Sequence, residues 1–353
     1  MPVRQLAASA ALTAGLAIAL AGCSVLVKTA VDLVYDHADL PDENTVRDLP
    51  YRSDGDPKHR FNLFLPLADS ARSGAPTVVF VHGGGWTEGD KDLVYGGEDV
   101  YNNIGRFFAG RGIGAATVSY RLMPGVSWRE QVADVAAAVA AIQDTVAARG
   151  GDADALVLMG HSAGAHLSAR VAVDAEARAA AGAGPVCGAM PVSGAALDLR
   201  DRETYALRDN FDYYSARFSD DGVARATPPP TPLAWQTEAS VVPFVDASAP
   251  PFLILYAGGE TEALQRQSRL LASALRAADV PTEVVVVPGR SHERIVPTLS
   301  RDDQTAGPAM LRFVRQLDCG GGGARASSWR GPASPTDRAT TTGRRWSRTT
   351  AAG

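Results

Sequence analysis

The chain has 353 residues, of which 46% are hydrophobic and 21% charged, the composition of a globular protein with enough apolar material for one large domain or two smaller ones. The formal net charge of −5, with unopposed arginines gathered only at the extreme C-terminus, argues against nucleic acid or another polyanion as partner. Three cysteines, Cys23, Cys187 and Cys319, are too few and too scattered to predict a disulfide framework or a metal site.

At the N-terminus Arg4 precedes the apolar run Leu6 to Ala21, which leads into "LAGC", Leu20 to Cys23. A positive start, a short apolar core and small residues before a cysteine read as a lipoprotein signal peptide over residues 1–22. Cys23 is then the lipidation site, its thiol linked to diacylglycerol. The run is short of the ~20 residues a spanning helix needs. An extracytoplasmic, lipid-anchored protein of the cell envelope is expected, with residues 23–44 as a tether.

From residue 45 apolar runs of strand type alternate with helical stretches. "FNLFLPL", "TVVFVHGGG", "IGAATVSYRL", "ALVLMG", "CGAMPVSG", "PFLILYAG" and "TEVVVVPG" are mostly continuous and not alternating, as in parallel strands covered by helices on both faces. Trp128 to Ala148 and Glu262 to Ala278 carry helical spacing between them. The pattern predicts one doubly wound α/β domain over residues 45–317, with a mostly parallel sheet of the eight-stranded type. Cys187 opens one of the core strands and is expected to be a small buried hydrophobe. Residues 197–249, with Tyr205, Phe211, Tyr213, Tyr214, Phe218 and "TPPPTP", break the rhythm and are expected to cover the active site. Residues 318–353 are nearly free of aliphatic side chains and predict a disordered tail.

"GHSAG", Gly160 to Gly164, ends a strand and opens a helix, the context in which G-x-S-x-G exposes a nucleophile. Ser162 is the candidate. "HGGGW", His82 to Trp86, follows the strand "TVVFV". Three glycines there offer unobstructed backbone N–H groups for an oxyanion, with Gly84, Gly85 and Ala163 as donors and Gly83 as a further candidate. The loop lacks the lysine and Ser/Thr of a phosphate-cradling P-loop. His82 is read as an anchor of that loop, while His161 and His166, beside the serine, cannot easily face its hydroxyl. His292, after the last strand in "PGRSHERI", is left as the base.

The acid that orients His292 belongs on the turn after "PFLILYA", where the chain offers Glu260 and, in reserve, Glu262, but no aspartate. Asp246 precedes that strand and would lie on the order of 20 Å away at ~3.3 Å per residue. Asp134 is read as a brace for its own helix. Neither a metal nor an organic cofactor is implied.

Together "HGGGW", "GDK" (Gly89 to Lys91), "SYRLMP" (Ser119 to Pro124), "GHSAGAHLSA" and "SGAALDL" (Ser193 to Leu199) resemble the carboxylesterase and arylformamidase branch of the α/β-hydrolase superfamily, close to the hormone-sensitive-lipase group. "RQS", Arg266 to Ser268, resembles the kynurenine formamidases, in which a catalytic aspartate lies six residues before the arginine; here that position is Glu260. The resemblance implies a serine hydrolase with a Ser162–His292–Glu260 triad, acting on a small-molecule carboxylic ester. An arylformamidase is the alternative within enzymes, and an inactive surface-binding lipoprotein the alternative outside them.

Overall fold

A computed structural model describes residues 38–67, 76–95, 98–301 and 305–319 of the chain. The expected signal peptide, Cys23 with its lipidation, and the tail from residue 320 lie outside these residues. In chain order the strands are β1 (Thr45–Pro50), β2 (Arg60–Phe64), β3 (Thr77–Val81), β4 (Val94–Tyr95), β5 (Glu98–Asp99), β6 (Gly114–Val118), β7 (Leu156–His161), β8 (Gly188–Val192), β9 (Phe252–Ala257) and β10 (Thr282–Val287). The helices are α1 (Val100–Ala109), α2 (Trp128–Ala148), α3 (Ala163–Val173), α4 (Ala175–Ala180), α5 (Arg202–Leu207), α6 (Phe211–Phe218), α7 (Ala234–Ala239), α8 (Glu262–Ala277) and α9 (Ala306–Gln316).

Eight strands form one sheet in the order β1-β2-β6-β3-β7-β8-β9-β10. β1 and β2 pair antiparallel and β2 joins β6 antiparallel, while every pairing from β6 to β10 is parallel. The doubly wound α/β sheet is thus as expected, with β1 as an added antiparallel edge. β1 carried no strand signal because an edge strand that stays half-exposed needs no apolar run.

β3, β7, β8 and β9 are buried at every residue. The reason is visible within β3, where Val79 and Val81 enter the core shared with α2, α3 and α8, and Val78 and Phe80 enter the core shared with α1 and α9. Successive side chains point to opposite faces, so a sheet covered twice demands unbroken hydrophobicity. α2 begins where expected because Ser127 caps it: its side chain accepts from Glu130 N, and Glu130 Oε2 accepts from Ser127 N at 2.8 Å. Asp134, fully buried inside α2, accepts from Arg121 Nε and Nη2, each at 2.8 Å, and from His59 Nε2 at 3.2 Å, which braces the helix as anticipated.

Two expectations about the ends need correcting. Cys187 is bonded to Cys319, with Cα atoms 5.4 Å apart; it is half of a disulfide and not a lone hydrophobe. A pair 132 residues apart in sequence is invisible to spacing arguments, because the sheet order brings β8 beside the end of α9. The bond also holds the first two residues assigned to the tail against the body. Residues 38–44, assigned to the tether, likewise meet the domain: Ala38 N donates to Asn103 Oδ1 and Asn44 Nδ2 to Leu65 O.

Candidate active site

β7 ends at His161, and the chain turns sharply into α3 with Ser162 at φ 55°, ψ −116°, a strained conformation for a residue with a side chain. The turn is possible because Gly164 touches β3: a Cβ there would lie 2.1 Å from Val81 O. Ser162 N donates to Val192 O on the neighbouring strand at 3.0 Å, fixing the elbow to the sheet edge. α3 starts directly behind the serine and aims its unpaired first N–H groups, with the positive end of its dipole, at the site.

His292 arrives on the loop after β10. Its Nε2 accepts from Ser162 Oγ at 2.8 Å, and its Nδ1–H donates to Glu260 Oε2 at 3.1 Å. The carboxylate can only accept, so this pairing sets the tautomer that leaves Nε2 free to receive the serine proton. The Glu260 side chain is fully buried. Its turn and the histidine loop are joined through the backbone, Gly259 N donating to Arg290 O at 2.9 Å. A Cβ on Gly259 would stand 2.9 Å from that same oxygen, which explains a glycine just before the acid. Glu262 is elsewhere: it opens α8 and pairs with Arg269 on the exposed face. Asp246 is exposed and accepts from Ser248, ahead of β9 as reasoned.

The glycine loop adopts left-handed backbone, with Gly84 at φ 117° and Gly85 at φ 58°. A Cβ on Gly84 would sit 2.1 Å from Glu88 O, so only glycine fits. The N–H groups of Gly84, Gly85 and Ala163 donate to no acceptor among the described residues, whereas the Gly83 amide is turned toward the Tyr101 hydroxyl. His82 does anchor the loop. It is buried, donates from Nδ1 to Gly83 O at 2.6 Å and stacks on Tyr120 at 4.3 Å.

Trp86 closes the loop at φ 66°. Its Nε1–H donates to His166 Nδ1 at 3.2 Å, and His166 Nε2–H donates to Ala239 O at 2.6 Å. One buried imidazole therefore ties the glycine loop, the helix behind Ser162 and the 197–249 excursion together. Around it Tyr213, Tyr214 and Phe218 of α6 meet the Trp86 ring, and Arg217 Nε donates to Gly85 O at 3.3 Å. The excursion thus leans on the glycine loop, as expected of a cover. "RQS" fastens its first part: Arg266 pairs with Asp201, while Gln267 accepts from Asp198 N and donates to Asp198 O and Thr204 Oγ1. No such role was legible in the motif.

Burial pushes three histidines near the site down from 6.5: His82 to about 4, His161 to about 3 and His166 to about 4. They are neutral donors to backbone carbonyls. In the unfolded chain each binds a proton below its ordinary value of 6.5, while the folded chain resists, so stability present at neutral pH is lost as pH falls from about 6.5 toward about 4. The melting temperature is expected to drop steadily between pH 7.5 and 4.5 in buffers of equal ionic strength; a flat profile would contradict three buried neutral imidazoles.

Among the described residues no cluster of three or more His, Cys, Asp or Glu is disposed to hold a metal ion. A family profile described as the α/β hydrolase fold matches residues 78–296. Esterase LipQ of Mycobacterium tuberculosis is 29% identical over 213 residues, 59% of this chain and 47% of its own length. A probable isoprenylcysteine alpha-carbonyl methylesterase of Oryza sativa subsp. japonica is 34% identical over 126 residues, 36% of this chain and 28% of its own. The chain thus spans less than half the length of either relative. Esterase B of Lactobacillus rhamnosis, solved with a bound inhibitor, superposes with a TM-score of 0.62 at 23% identity, covering 86% of this chain and 96% of that one, a likeness of fold. With most of the domain inside the matched region and the elbow, glycine loop and sheet order all present, the chain belongs to the α/β-hydrolase fold family.

Proposed function

We propose that this protein hydrolyses carboxylic esters through an acyl-enzyme on Ser162. The observation that carries the reading is the unbroken hydrogen-bonded series Ser162–His292–Glu260. Ser162 Oγ attacks the acyl carbon as His292 Nε2 takes its proton, and the imidazolium formed is stabilised by the buried Glu260 carboxylate. Gly84, Gly85 and Ala163 hold the oxyanion through N–H groups that have no other acceptor among the described residues. The protonated His292 then releases the alcohol, and water, activated by the same nitrogen, releases the acid. The esterase names of the matched relatives support this class of substrate.

The test is turnover of a p-nitrophenyl ester series from acetate to laurate by protein lacking residues 1–22, with N-formylkynurenine alongside. Ester turnover is expected. Turnover confined to the formyl anilide would move the protein to amide hydrolysis, and turnover of neither would favour a binding protein on a hydrolase scaffold.

The same reading takes the enzyme out of the cytoplasm on acyl chains attached to Cys23. The Cys187–Cys319 bond supports export, since disulfides persist in oxidising compartments, and it accounts for the other two cysteines. In cell fractionation the wild type is expected with membranes and in the detergent phase on phase separation, and Cys23→Ser outside both. A wild type in the aqueous phase would overturn the anchor.

A further inference from the structure

We propose that His161, the residue before the nucleophile, is a positioning residue that holds the backbone of His292 in register with Ser162. The inference rests on the triad reading above. His161 Nε2 lies 2.8 Å from His292 O, and the two rings are neighbours, tilted at 42° with centroids 4.8 Å apart. A carbonyl oxygen only accepts, so Nε2 carries the proton and donates. Burial keeps the ring neutral, so it adds no positive charge beside the imidazolium that His292 must become.

The bond matters because of where His292 stands. Ser162 is set by the elbow between β7 and α3, whereas His292 belongs to an irregular loop 130 residues later in the chain. Close by, that loop is tied to the acid turn through Arg290 O and to itself through Ile295 N and Ser291 O; neither bond reaches the nucleophile. His161 spans that gap from the residue adjacent to Ser162, so any displacement of the elbow is passed to the histidine loop. Geometry of this kind decides rate, since misplacing a reacting group by about 1 Å can cost ~10²-fold.

The test compares His161→Gln with His161→Met. The two side chains are close in shape, but only glutamine keeps an N–H at the reach of the lost Nε2. For His161→Met we expect kcat to fall by ~10–100-fold with KM unchanged, and the rate of Ser162 labelling by a fluorophosphonate to fall in parallel. His161→Gln is expected near wild type in both. Melting curves identify any variant that does not fold, and if His161→Met fails to fold, a folded His161→Gln with the activity of Ser162→Ala still overturns the proposal. Equal losses in the two variants, a loss confined to KM, or no loss in His161→Met would do the same. Because labelling needs no ester, a wild type that is labelled at Ser162 but hydrolyses no ester would overturn the substrate reading and leave this comparison intact.

Discussion

Replacing Ser162 with alanine is expected to lower kcat for ester hydrolysis by about 10⁴–10⁶-fold, the range seen when a triad nucleophile is removed, while leaving the melting temperature nearly unchanged. Among the described residues the hydroxyl makes one polar contact, to His292 Nε2, and alanine accepts the elbow conformation at φ 55° about as well as serine does. What remains after the change is the set of amides at Gly84, Gly85 and Ala163, which can still polarise a bound carbonyl but cannot form an acyl-enzyme. Pre-steady-state kinetics with ester in excess of enzyme would show the loss of the covalent step directly, as the absence of a product burst. A variant that still turns over the ester at a rate comparable to wild type would place the nucleophile elsewhere.

Glu260→Gln is expected to lower kcat by ~10⁴-fold, as when the corresponding acid of a serine triad becomes an amide. Two effects combine. The amide can present its N–H₂ to Nδ1, selecting the tautomer whose proton sits on Nε2 and faces Ser162. It also removes the negative charge that would stabilise His292 as it takes the serine proton, in a position where the carboxylate is fully buried and poorly screened. Glu260→Asp keeps the charge but withdraws it by one methylene from a contact that is already 3.1 Å long, so a smaller loss is expected. Steady-state kinetics on the best ester, with melting curves for each variant, distinguish these outcomes. Full activity in Glu260→Gln would mean that the triad acid is not at this position, while Glu262→Gln, altering an exposed pair with Arg269, is expected to be silent.

Much of this was legible in local sequence. Continuous apolar runs named the covered strands, because a strand buried on both faces has no polar side to show. Glycines at 83–85 marked a loop with unobstructed N–H groups and those of "GHSAG" a tight turn, and the chain order of Ser162, Glu260 and His292 follows from turns at one edge of a parallel sheet. These features depend on residues close together in the chain.

Contacts between distant segments were decided by tertiary structure. The sequence ranked Glu260 ahead of Glu262 only through a resemblance; in the fold the start of α8 separates them, sending Glu262 to the surface and leaving Glu260 on the turn that Gly259 ties to Arg290. His161 was read as poorly placed to face Ser162, and its partner, the His292 carbonyl 131 residues away, appears only once β7 and the loop after β10 reach the same edge. The disulfide has the same origin, since β8 and the end of α9 meet only in the folded sheet. Local patterns state what each turn and strand requires of its own side chains, and the crossover order of the sheet determines which of those turns face one another.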